Sequence, residues 1–228
     1  MPVTGWSQFL RNDLISISMK IFRTVLSGLV LSAVLAAAPM RSYATTPEAA
    51  PIEALNAGLL ATMKAGSANA SFMSRYQALE PVVKSAFNLQ VILQNSTGFY
   101  WATFPAAQQQ ELLKLFEQFT VASYITGFNG YGGQTFKVLP TERDVGASKV
   151  VESQLVPPDG SAPTELDYVM TNGAAGWQVT DVLLNGTISK VAIQSSDFSS
   201  EVSSGDASQL IAALKAKVAT LSGGALTN

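Results

Sequence analysis

The hydrophobic period of this chain changes once, and that change does most to limit its fold. From Pro47 to Phe128 apolar side chains recur every three or four residues; after Gly130-Tyr131-Gly132-Gly133 they alternate with polar ones. The first spacing lines one face of a helix and the second lines one face of a strand. Strands joined by turns too short for a crossover must run antiparallel. A block of helices followed by such a meander reads as an α+β fold, with N-terminal helices packed on a curved antiparallel sheet of about four strands and further helices at the C-terminus.

The helical segments are predicted over Pro47–Ala65, with Ile52, Leu55, Leu59 and Met63 on one face, and over Phe72–Phe87, with Phe72, Tyr76, Leu79, Val83 and Phe87. Pro81 lies inside the second and predicts a break or kink. A short turn at Leu89–Leu93 is expected to end at Asn95-Ser96-Thr97-Gly98. Helix Ala106–Phe128 follows Pro105, which is tolerated in a first turn. Its apolar sector is wide: Leu112, Leu115, Phe119 and Ala122 on one face, Leu113, Phe116, Tyr124 and Phe128 on the next. Such a helix is buried on two sides, either as a central core helix or with one side toward the core and one toward a ligand. The predicted strands are Gln134–Leu139, Lys149–Val156, Glu165–Thr171 and Trp177–Leu184, with turn signals at Pro157-Pro158-Asp159-Gly160, Asn172-Gly173 and Asn185-Gly186. Asp197–Val202 and Ala207–Leu221 read as helix, and Ser222–Asn228 as a frayed tail.

The first 44 residues read differently. Basic Lys20 and Arg23 precede an uncharged run, Thr24–Ala38, and then Ser42-Tyr43-Ala44. The run is shorter than the roughly 20 residues that span a bilayer, and the order is that of a secretory signal cleaved after Ala44; an uncleaved membrane anchor is the alternative. Met19 opens the signal directly, so residues 1–18 read as an over-long start. The mature chain, residues 45–228, is expected to be one domain. It carries ten basic and fifteen acidic residues, a net charge of −5, so neither nucleic acid nor an anionic membrane surface is an expected partner. The charged fraction of the whole chain, 13%, is about half that of ordinary soluble proteins. The surplus apolar surface needs an enlarged core or an apolar cavity filled by ligand.

The chain has no His and no Cys, which removes His-based triads, thiol nucleophiles, His- or Cys-liganded metals and disulfides. No cofactor, metal or catalytic set is predicted. The acid pairs Glu165/Asp167 and Glu142/Asp144 read as solvated surface. Asp181 lies within an apolar strand, where a buried, hydrogen-bonded structural acid and a catalytic acid are the two readings.

Six segments carry a resemblance: Arg75-Tyr76-Gln77-Ala78-Leu79, Phe87-Asn88-Leu89, Gly98-Phe99-Tyr100-Trp101, Tyr124-Ile125-Thr126-Gly127-Phe128, Trp177-Gln178-Val179-Thr180-Asp181-Val182 and Asn185-Gly186-Thr187-Ile188-Ser189. In order and spacing they resemble the MlaC-type toluene-tolerance family of periplasmic lipid-binding proteins, with Thr187–Phe198 most similar to the hopanoid-associated HpnM branch. Asn88 departs from the Asp frequent there. The resemblance implies a mixed fold around a cavity for lipid tails, and a soluble, monomeric carrier that moves phospholipid or a hopanoid-type lipid between membranes together with an inner-membrane transporter. Phe72, Tyr76, Phe87, Tyr100, Trp101, Phe116, Phe119, Tyr124, Phe128, Val169 and Val182 are the expected lipid-binding residues, each of which reads also as plain core. The other readings are a small enzyme on a cone-shaped sheet, using Asp181 or a tyrosine as acid or base, and a structural module. The ten basic residues are scattered along the mature chain, so binding is expected to depend on hydrocarbon and little on headgroup charge.

Overall fold

The computed structural model describes residues 46–226; the signal-like segment and its cleavage point lie outside them. Helix α1 (Ala50–Ser67) buries Ile52, Leu55, Leu59 and Met63, the expected stripe. It starts later than the spacing predicts because Ala49 and Ala50 donate to the Thr46 carbonyl in a preceding turn. Pro51 falls in its first turn, where a missing N–H leaves no bond unmade. Helix α2 (Phe72–Ala86) starts at Ser71, whose hydroxyl accepts from the Ser74 N–H at 3.1 Å. The break expected at Pro81 is absent: the helix runs on to Ala86. Its buried stripe of Tyr76, Leu79, Val83 and Ala86 packs against α1 and the long helix described below, and this burial outweighs the one forgone backbone bond.

Helix α3 (Leu89–Thr97) opens at Asn88, whose side chain accepts from the Val91 N–H at 3.1 Å. The helix outlasts the expected turn. The Ser96 and Thr97 hydroxyls bond back to the carbonyls of Ile92 and Leu93 at 2.8 and 2.9 Å, and Gly98, at φ +60°, supplies the stop. A 3-10 segment, Gly98–Thr103, leads to α4 (Ala106–Gly127), the central helix, which contacts α1, α2, α3 and the C-terminal helix α6 (Ser208–Ser222).

The sheet is an antiparallel meander in sequence order: β1 (Thr135–Val145), β2 (Ser148–Val156), β3 (Thr164–Gly173), β4 (Gly176–Leu184) and a two-residue β5 (Ile188–Ser189) that the alternation did not predict. Its core face carries Val151 and Leu155 from β2, Leu166, Tyr168 and Met170 from β3, and Val179 and Val182 from β4. Val179 and Val182 are three apart yet join one core cluster because the β3–β4 register shifts between Val169 and Met170, a bulge in β4. Pro140 is accommodated on the edge strand β1, where the register with β2 also shifts.

The C-terminal third departs from expectation at two points. Helix α5 covers Lys190–Phe198, not Asp197–Val202. The Ser189 hydroxyl accepts from the Ala192 N–H at 2.9 Å and so starts the helix early. The tail is not frayed through Leu226: Gly223, at φ +59°, ends α6, and the Leu226 N–H donates to the Ser222 hydroxyl at 3.2 Å.

Candidate functional site

Where α3, α4, α5 and β4 meet, they leave a small, partly open apolar cavity. Phe116, Thr120 and Tyr124 line it from successive turns of α4. Phe87, Leu89 and Ile92 line it from the approach to α3 and from α3 itself, Asp181 and Val182 from β4, and Lys190, Val191 and Gln194 from α5. Its volume is about 20 Å³, room for a single water. A second groove, about 220 Å³, lies between α4 and α6 and is larger, but Glu111, Lys114 and Lys215 stand among its seven lining residues. Three of those seven are charged, against two of the eleven around the smaller cavity, and charge beside hydrocarbon is costly, so the smaller cavity is the better candidate.

Most polar groups on the cavity wall are already engaged. The Thr120 hydroxyl donates to the Phe116 carbonyl at 2.8 Å, within the helix. The Gln194 side chain accepts from the Ser96 hydroxyl at 3.3 Å. Asp181 is a structural acid. Its Oδ1 accepts from the N–H of Val182 at 2.7 Å and of Val191 at 3.0 Å, and its Oδ2 accepts from the Ser189 hydroxyl. The bulge thus turns a strand carboxylate onto the N-terminus of α5, where a negative charge meets unpaired N–H groups. Two groups remain. The half-buried Tyr124 phenol is held well above its ordinary pKa by burial first and the nearby Tyr168 second. The half-buried Lys190 ammonium sits 5.1 Å from the centre of the Tyr124 ring. Burial pushes Lys190 down to about 8, against an opposing pull from Asp181.

Of the eleven expected lipid-binding residues, Phe87, Phe116, Tyr124 and Val182 line the cavity. Phe119 and Phe128 stand behind them in the core, with ring centres 6.4 Å from Phe116 and 6.0 Å from Tyr124. Phe72 and Tyr76 stack on each other at 6.1 Å along α2, and the Tyr76 hydroxyl donates to Glu80 at 3.3 Å. Tyr100 and Trp101 lie on the 3-10 segment, Tyr100 beside the exposed Phe99 and Trp101 edge-on to Phe104. Val169 faces away. Tyr168 and Met170, its neighbours in β3, join the core cluster, and a strand alternates, so Val169 occupies the opposite face.

The acid pairs are also not simply solvated. Asp167 is 6% exposed and pairs with Arg143 at 3.2 Å, in a group that includes Glu152. Burial, its largest influence, raises its pKa. Glu142 takes part in a cluster with Lys149, which also bonds Glu48. These networks fasten the sheet and the start of α1 and lie outside the cavity lining. Sequence reasoning did not single out Lys190. Ser189 followed by Val191 and Phe198 was the available sign that a helix starts there, and a helix start places Lys190 in the first turn beside β4.

The sequence model of the family described as "MlaC protein" matches residues 53–216. No curated protein matches the chain. Among solved structures, a phospholipid-binding protein from Ralstonia solanacearum, in complex with a phospholipid, superposes with a TM-score of 0.66 at 21% identity. The match covers 77% of this chain and 99% of that one. The family match takes in both the helical block and the meander, every element from α1 to α5 and much of α6, and the chain belongs to the MlaC family.

Proposed function

We propose that residues 45–228 form one lipid-binding domain that is exported to the periplasm and carries a membrane lipid between the inner and outer membranes, without chemical turnover. One observation carries the reading: in a chain of the MlaC family, the helical layer and β4 leave an apolar cavity walled by Phe87, Phe116 and Val182. The Ralstonia solanacearum protein of similar fold was solved with phospholipid, which makes phospholipid the first candidate cargo. The similarity of Thr187–Phe198 to the HpnM branch makes a polycyclic hopanoid the second.

The driving force is burial of hydrocarbon at about 0.8 kcal/mol per methylene. About ten methylenes contribute roughly 8 kcal/mol, the scale of a micromolar Kd. A cavity that admits one water cannot seat such a tail unless α3 and α5 part from β4, so loading and release are coupled to opening. An inner-membrane transporter that favours the open form would set where exchange occurs. The test is to purify the exported protein, extract it with organic solvent and identify the extract by mass spectrometry. About one lipid per chain is expected; a lipid-free protein that takes up none from vesicles overturns the reading. Its N-terminal sequence should begin within a residue or two of Thr45.

A further inference from the structure

Among the described residues Lys190 is the one ammonium group on the cavity wall, and its placement is unusual for a lysine. Lysine heads ordinarily remain in water while their stems cover apolar surface. This one is half-buried among Phe87, Leu89 and Val191, beside the Tyr124 ring, and donates no hydrogen bond among the described residues. The nearest carboxylate does not pair with it closely. Asp181 gives its oxygens to two backbone N–H groups and the Ser189 hydroxyl, so its charge is largely offset at the start of α5. Lys190 therefore carries a positive charge into an apolar site with only a ring face and a committed carboxylate to offset it. Three donors and the absence of strong local partners suit an anionic oxygen attached to an apolar tail.

We propose that Lys190 is an anion-binding residue of the lipid cavity, donating to a phosphodiester or carboxylate oxygen of the cargo while the tail occupies the space beside Phe116. The proposal rests on the carrier reading and deepens it: lipids with an anionic oxygen at the head of the tail are preferred over uncharged lipids of equal tail length. This reverses the expectation, drawn from the scatter of basic residues, that headgroup charge matters little. One ammonium inside a low-dielectric cavity outweighs several on the surface, where water and salt screen them.

The experiment uses the delipidated mature protein, its Lys190→Met variant and its Lys190→Arg variant. Two pairs of probes are compared by equilibrium binding at low and high salt: phosphatidylglycerol against diacylglycerol of the same chains, and palmitate against methyl palmitate. The first pair reads a phosphate and the second a carboxylate. The wild type is expected to prefer the charged member of at least one pair about tenfold, or about 1.4 kcal/mol. Lys190→Met should abolish that preference by weakening the charged probe alone, and Lys190→Arg should retain most of it. Equal wild-type binding within both pairs overturns the proposal and leaves the carrier reading standing. So does a Lys190→Met variant that weakens charged and uncharged probes alike, since that marks a structural role. A wild type that binds no probe overturns both.

Discussion

Truncating Phe116 separates a cavity wall from a plain core residue. Its side chain is 1% exposed and its ring centre lies 6.4 Å from Phe119 and 6.5 Å, edge-on, from Phe198. A Phe→Ala change in a close-packed core costs about 3–5 kcal/mol, much of it for the new cavity and part of it for lost ring–ring contacts of this kind. Phe116 differs from that reference because one side already borders a void, so fewer contacts are lost there. The expected loss for delipidated Phe116→Ala is therefore at the low end, about 3 kcal/mol. For a chain of this size that lowers Tm by roughly 6–12 °C. Lipid added back should fill the enlarged space and restore part of the loss, while weakened wall contacts raise the rate at which lipid exchanges to vesicles. The assay is thermal unfolding with and without bound lipid, with lipid exchange measured alongside. A loss of 5 kcal/mol or more that lipid does not reduce, with exchange unchanged, would refute the reasoning and leave Phe116 a core residue.

Three further outcomes follow from the geometry. Asp181→Ala removes two backbone acceptor bonds and a hydroxyl partner at the start of α5; it should cost about 1–3 kcal/mol in denaturant unfolding, and a variant of unchanged stability would contradict the capping role. Lys190 is lowered to about 8 when folded, so between pH 8 and 10 the unfolded chain binds more protons and stability rises with pH. The gain is at most roughly 2–3 kcal/mol before solvent screening. Above pH 10 the buried Tyr76 and Tyr168 and the half-buried Tyr124, whose pKa values are raised, reverse the slope. Unfolding of wild type and Lys190→Met across pH 7–10 should show a steeper rise in the wild type, because Lys217, also lowered by burial, contributes to both, and parallel profiles would exclude the Lys190 share. Gly66→Ala places a Cβ 2.1 Å from the Asn129 carbonyl oxygen, a clash with backbone that should cost at least about 1–3 kcal/mol; an unchanged unfolding midpoint would show that the α1 terminus moves freely.

Local spacing carried the layered plan of this protein. The stripe Ile52-Leu55-Leu59-Met63, the two-sided burial of α4 and the four long strands are written in intervals of three, four and two, because side-chain direction follows from backbone geometry within a few residues. The turn at Asn185-Gly186, where Asn185 has φ +49° and Gly186 +72°, was legible for the same reason. The features that build the site lie elsewhere. A bulge is an agreement between two strands, so the β4 sequence does not disclose that Val179 and Val182 share a core or that Asp181 turns onto α5. The face of Val169 depended on the strand's phase against its neighbours. Pro81 was overridden by packing on α1 and α4, a free energy that local propensity does not contain. Lys190 is the sharpest case. Ser189 marks a helix start beside it, but nothing in the chain sets Lys190 apart for burial among the ten basic residues of 45–228, and its burial arises where α5 settles between α3, β4 and Tyr124. Burial of a charge is a property of the assembled surroundings, so it entered only with the fold.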